Sequence, residues 1–162
     1  MAMLLGAVEA TLPPEDNMVL VAGTGFRDFV LPDFTAGRLC YGGPDQLYLM
    51  GDGRTGHDEH VLLESWDAEP APDAAELTDV AVVTLTRPGV YVSWMAESAA
   101  SPVLELAVAG DYRARVTVTG RAALAELPLA VPPGRRRPVE HVRVQLWPQP
   151  ASSPARSAPA TA

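Results

Sequence analysis

The chain has 162 residues, a formal net charge of −8 and 48% apolar residues. That length is one domain by the usual span of ~100–200 residues, large enough to bury a core without metal or cross-link. A single cysteine, Cys40, excludes an internal disulfide and with it a secreted disulfide scaffold, and the acidic balance argues against wholesale binding to a nucleic-acid backbone. All twelve basic residues are Arg, and Lys and Ile are absent, which reads as the codon usage of a GC-rich, bacterial sequence and carries no functional meaning.

Residues 1–8 are apolar, but the run is short and has no basic residues before it, so it does not read as a secretory signal. No stretch approaches the ~18 consecutive apolar residues of a membrane span, and the expected compartment is the cytoplasm. The hydrophobic period is two almost everywhere. Residues 18–22, 38–41 and 46–50 read as short strands, the last two separated by the turn Gly42-Gly43-Pro44-Asp45. A glycine-rich turn at 51–56 follows, without the Lys of a phosphate loop or the spacing of an EF-hand. It leads into a strand at 60–66. Residues 68–76 form an acidic loop broken by Pro70 and Pro72, with room for one helical turn after Pro72. Strands at 79–86 and 90–95 flank Arg87-Pro88-Gly89, a hairpin-type turn signal, and 104–108 is a further alternating run.

Gly110-Asp111 turns into a strand in which Tyr112, Ala114, Val116 and Val118 alternate with Arg113, Arg115, Thr117 and Thr119. A short helical turn is expected at 122–127. The loop 132–138, rich in Pro and holding Arg135, Arg136 and Arg137, connects to a last strand where Val142, Val144 and Leu146 alternate with His141, Arg143, Gln145 and Trp147. Many short strands with turns every ~8–12 residues imply an all-β, antiparallel, jelly-roll-like sandwich of about eight to nine strands. It occupies residues 1–148 as a single domain, and 149–162, rich in Pro, Ala and Ser, reads as a disordered tail.

The charge is uneven: residues 1–80 carry 15 acids and 3 Arg, residues 81–162 carry 5 acids and 9 Arg. Either the two halves form faces of opposite sign, one a docking surface for a basic partner, or they interleave in space and neutralise each other. Six acids fall within 64–79. Of these, Glu64, Asp67, Glu69, Asp73 and Glu76 surround Trp66 and make a candidate contact patch, an acidic rim with an aromatic anchor. Arg113, Arg115 and Arg143 are candidates for one sheet face that takes an anion, a partner, or the protein's own acidic loops. In Gly56-His57-Asp58-Glu59-His60, the two imidazoles with carboxylates between them offer metal-ligand chemistry. His57 and His60 are the candidates, with His141 the remaining imidazole, although the segment also reads as a solvated turn. Cys40, in a strand-like run with no His held beside it in sequence, reads as a buried hydrophobe. No organic cofactor is expected.

Gly110-Asp111-Tyr112-Arg113-Ala114-Arg115-Val116, then Gly120-Arg121, then Glu140-His141-Val142-Arg143-Val144-Gln145-Leu146-Trp147-Pro148 resembles the ending of the competence protein J family of small bacterial β-sandwich proteins. The resemblance covers residues 100–148. It implies a non-catalytic protein that binds another protein, as an inhibitor or immunity-type partner of a nuclease or toxin, and it transfers no catalytic residue. Two other readings stand beside it: a structural or assembly component of a bacterial particle, and a cupin-like metal enzyme using His57 and His60.

Overall fold

A computed structural model describes residues 1–13, 17–52, 57–94, 98–127, 131–132, 135 and 137–150. Ten strands follow in chain order: β1 (Leu4–Leu12), β2 (Met18–Gly23), β3 (Cys40–Gly43), β4 (Gln46–Met50), β5 (Asp58–Trp66), β6 (Leu77–Leu85), β7 (Gly89–Ser93), β8 (Leu104–Glu105), β9 (Gly110–Thr119) and β10 (Pro138–Pro148). Short 3-10 turns lie at Phe34–Ala36 and Arg121–Glu126. The strands form two five-stranded sheets, ordered β1-β5-β10-β9-β6 and β3-β4-β2-β7-β8, so the chain is an all-β sandwich. The ladders between named strands are antiparallel except one: β10 runs parallel to β5.

The alternating segments all become strands, with ends shifted by a few residues. β1 is the exception, since only its second half, Val8-Glu9-Ala10-Thr11-Leu12, alternates. Leu4-Leu5-Gly6-Ala7-Val8 has no polar phase, and its identity comes from the edge of β5, against which it pairs from Leu4↔Trp66 to Leu12↔Glu59. The helical turn expected near 122–127 is the 3-10 turn Arg121–Glu126, whereas the segment after Pro72 adopts no helix. Positions 53–56 of the glycine-rich turn, 133, 134 and 136 of the Arg-rich loop, and 151–162 of the tail lie outside the described residues.

The core lies between the sheets. Val61 and Leu63 of β5, Tyr112, Ala114, Val116 and Val118 of β9, and Val142, Val144 and Leu146 of β10 meet Val19, Val21, Leu47, Leu49, Val90 and Val92 from the facing sheet. Full burial of each Val or Leu contributes roughly 1.5–3 kcal/mol. The second sheet is covered on its outer face as well, where Leu20, Ala22, Tyr41 and Tyr48 pack beneath Phe26 and Phe34 of the β2–β3 connection. No helix among the described residues is long and apolar enough to cross a membrane.

One long side of the sandwich is stitched shut. Arg38 pairs with Asp79 at 2.7 Å, and the buried Asp45 accepts hydrogen bonds from the Thr86 amide at 2.8 Å and the Thr86 hydroxyl at 2.6 Å. Between these two contacts, Gly42 lies so close to β6 that a Cβ there would sit 2.0 Å from the Val82 carbonyl oxygen. The backbone must move to admit any side chain. Gly42→Ala is therefore expected to lower stability by about 1–3 kcal/mol in urea unfolding, with the Arg38–Asp79 edge opened. Cys40 is fully buried in the core beside this edge. Burial, reinforced by the charge of Asp79, pushes its thiol up to about 12. Native protein at pH 8 is expected to resist a disulfide-forming thiol reagent and to react with one equivalent once denatured.

Candidate functional site

The outer face of the first sheet carries β5 positions 60, 62, 64 and 66, β10 positions 141, 143, 145 and 147, and β9 positions 113, 115, 117 and 119, as the period of two and the registers dictate. Arg113, Arg115 and Arg143 therefore share one face, as the alternation suggested. Residues 67–76 lie across it as an acidic strap. Glu64, Gln145 and Arg115 stand in register on three adjacent strands and form a polar ladder: Gln145 Nε2 donates to Glu64 at 3.2 Å, and Arg115 Nη1 donates to Gln145 Oε1 at 3.3 Å. The strap closes over this ladder. Arg115 also donates to Glu69 at 2.7 Å and to the Pro70 carbonyl at 3.0 Å, and its guanidinium lies 5.2 Å above the Trp147 ring.

Glu64 is the hub. It is buried and accepts from Arg143 at 2.8 Å, from the Trp66 indole at 2.9 Å and from Gln145. Arg143 pairs with Asp73 as well. Farther along the strap, Glu76 accepts from the Gly120 amide at 2.8 Å and the Ala122 amide at 3.2 Å, and Asp67 accepts from the Met3 amide at 2.7 Å. The acids of the first half and the Arg of the second half thus interleave. Each of the five acids around Trp66 has an internal partner; Asp67, Glu69, Asp73 and Glu76 remain at the surface, and Arg113 is exposed.

The two imidazoles of the His57/His60 pair part company. His60 faces outward, 3.2 Å from Glu9, with its ring 5.5 Å from that of His141. His57 turns to the inner side, together with Glu59 two residues later. Glu140 joins them from β10, where it is the register partner of Glu59. The three side chains are 0–1% exposed, and one donor atom from each lies within 4.8 Å of the others. Arg121 pairs with one oxygen of Glu140 and donates to the Met50 carbonyl at 2.7 Å. Gly51 makes the room: a Cβ there would stand 2.7 Å from Glu59 Oε1. Burial, with the charge of Glu140 behind it, pushes the Glu59 carboxyl up to about 8. Glu59 belongs to the cluster that the sequence singled out, whereas Glu140 escaped it, yet a signal existed. Glu59 is in phase with Val61 and Leu63, and Glu140 with Val142 and Val144, so both carboxylates fall on core-facing positions.

The strap network gives a direct expectation. Glu64→Ala leaves Arg143 and Gln145 with unmatched donors under the strap and should cost about 2–4 kcal/mol in urea unfolding. Asp67→Ala, at the exposed end of the same strap, should cost less than about 1 kcal/mol.

No protein-family model matches the sequence, and no curated protein matches it. Two solved structures share the architecture. One is described as the crystal structure of ComJ, inhibitor of the DNA degrading activity of NucA, from Bacillus subtilis; it is 11% identical, with a TM-score of 0.59 over 91% of this chain and 98% of that one. The other is described as crocagin biosynthetic gene J, 13% identical, with a TM-score of 0.57 over 89% of this chain and 97% of that one. The likeness spans both sheets and is not confined to residues 100–148, and at these identities what is common to the three chains is their fold.

Proposed function

We propose that this chain is a protein-binding β-sandwich that acts as an inhibitor or immunity-type partner of another enzyme, a nuclease or toxin with a basic surface. The observation that carries the reading is the match of nearly the whole chain to nearly the whole of ComJ, a nuclease inhibitor. A net charge of −8 favours approach to a basic enzyme over a broad front.

The molecule also offers a built anchor. In the β2–β3 connection, Phe29, Val30 and Leu31 are 39%, 56% and 65% exposed. Their backbone is nonetheless fixed. The buried Gln46 amide donates to the Val30 carbonyl at 2.9 Å and accepts from the Val30 amide at 3.2 Å, while Tyr48 donates to the same Gln46 oxygen at 3.1 Å. Phe26 packs edge-on against Phe29 at 5.1 Å. Exposed apolar side chains on a loop already ordered lose little entropy on docking, and Arg27, Asp28 and Asp33 give this patch charged flanks. The strap around Trp66, with Asp67, Glu69, Asp73 and Glu76, is the second surface of suitable charge, on the opposite sheet.

Affinity capture from the native extract at low and high salt, followed by a DNA-degradation assay, tests the reading. The expected result is a basic partner that leaves at high salt and loses its activity on addition of one equivalent of this chain. A captured partner that stays fully active at tenfold excess, or capture of no enzyme, would overturn it. Phe29→Ala/Leu31→Ala should weaken the complex about tenfold or more at unchanged melting temperature. If Asp67→Asn/Asp73→Asn does so instead, the strap is the contact surface.

A further inference from the structure

The buried cluster at the end of the sandwich has no part in the protein-binding reading, and its chemistry is incomplete by itself. Among the described residues, His57 Nδ1 and Nε2, Glu59 Oε1 and Glu140 Oε2 have no hydrogen-bond partner. Each such buried group left unmatched costs about 1–3 kcal/mol, and two carboxylates face each other across an in-register ladder, where like charges repel. Their arrangement is nevertheless specific. His57 Nε2 stands 3.5 Å from Glu140 Oε2 and 4.0 Å from Glu59 Oε1. Two ligand atoms each about 2.0–2.1 Å from a tetrahedral ion lie about 3.4 Å apart; the separation of His57 from Glu140 already matches this, and the Glu59 carboxylate needs to close in by roughly half an ångström to complete a coordination sphere.

The geometry points to a divalent metal site of the zinc class, with His57 Nε2, Glu59 Oε1 and Glu140 Oε2 as ligands. The donor set decides the class of ion: one imidazole with two carboxylates suits Zn²⁺, whereas Ca²⁺ and Mg²⁺ prefer six or more oxygens. Arg121 acts from outside the ligand set, holding Glu140 by its other oxygen so that Oε2 faces His57. The three ligands are enclosed, and the ion would tie the residue before β5 to β5 itself and to β10, its parallel partner. The strand pair places the carboxylates, and Gly51 leaves the space they need.

Tag-free protein, stripped with chelator and dialysed, would be titrated with ZnCl₂, with bound metal counted by mass spectrometry and melting followed by circular dichroism. The expected result is one zinc per chain and a raised melting temperature, because the ion binds the folded state; CaCl₂ should do neither. His57→Ala and Glu59→Gln should each weaken zinc binding by about tenfold or more, while His60→Ala/His141→Ala binds as the parent does. Glu59→Gln keeps the shape of the side chain and removes the carboxylate that a metal requires, without adding a charge to the buried cluster. It should therefore melt no lower than the parent in chelator, yet lose the rise that zinc gives the parent, which separates ligation from a fault in folding. Absence of stoichiometric zinc in the parent would overturn the proposal. So would unchanged binding in Glu59→Gln, or binding lost only in His60→Ala/His141→Ala.

Discussion

The parallel ladder between β5 and β10 organises both chemical features of the molecule. In that register Glu59 lies opposite Glu140 on the inner side and Glu64 opposite Gln145 on the outer side. A slip of one residue would exchange the two sides of β10 and move Val142, Val144 and Leu146 out of the core. Apolar burial therefore fixes the register, and the register in turn fixes where the carboxylates meet their neighbours. The polar ladder and the buried cluster are two consequences of one alignment, on opposite sides of the same sheet.

The uneven charge of the sequence finds its explanation in the same topology. β10, from the basic half, is inserted between β5 of the acidic half and β9. The strap that leaves β5 then has nowhere to lie but across the Arg side chains of β9 and β10. What reads along the chain as segregated charge is in space a layered arrangement, in which Glu64 and Asp73 face Arg143, and Glu69 faces Arg115. Two tryptophans of the same sheet face belong to this layer: Trp66 donates to the hub carboxylate, and Trp147 offers its ring to Arg115.

Much of this fold is legible in the sequence because its strands face core on one side and polar cover on the other. β9 and β10 announce themselves by alternation, and with them the shared face of Arg113, Arg115 and Arg143. The first half of β1 does not, since Leu4, Leu5 and Ala7 are apolar yet exposed at a sheet edge. Nor does the parallel pairing, because a period of two says which side a residue faces and nothing about which strand is its neighbour. The buried cluster shows the same limit in miniature. The sequence draws attention to His57 and His60, a separation of three that suits a helix turn. In a strand an odd separation divides a pair and an even one unites it, so Glu59 joins His57 and His60 leaves. Glu140 is 81 positions away from Glu59, and no local pattern could join the two.

The central place of β10 also bears on how the molecule is made. During vectorial synthesis β1, β5, β6 and β9 all emerge before the strand that belongs between β5 and β9. Until then the first sheet can form only as two separate halves, β1 with β5 and β9 with β6, each with an unpaired inner edge. Those two edges are open to mispairing with other nascent chains. Closing the gap requires pairing β5 with a strand about 80 residues later, half the length of the polypeptide, and non-local pairings of this kind are slow to form. A ribosome stalled before Pro138 would hold a chain with most of its apolar residues already synthesised and no means of assembling them into a finished sandwich.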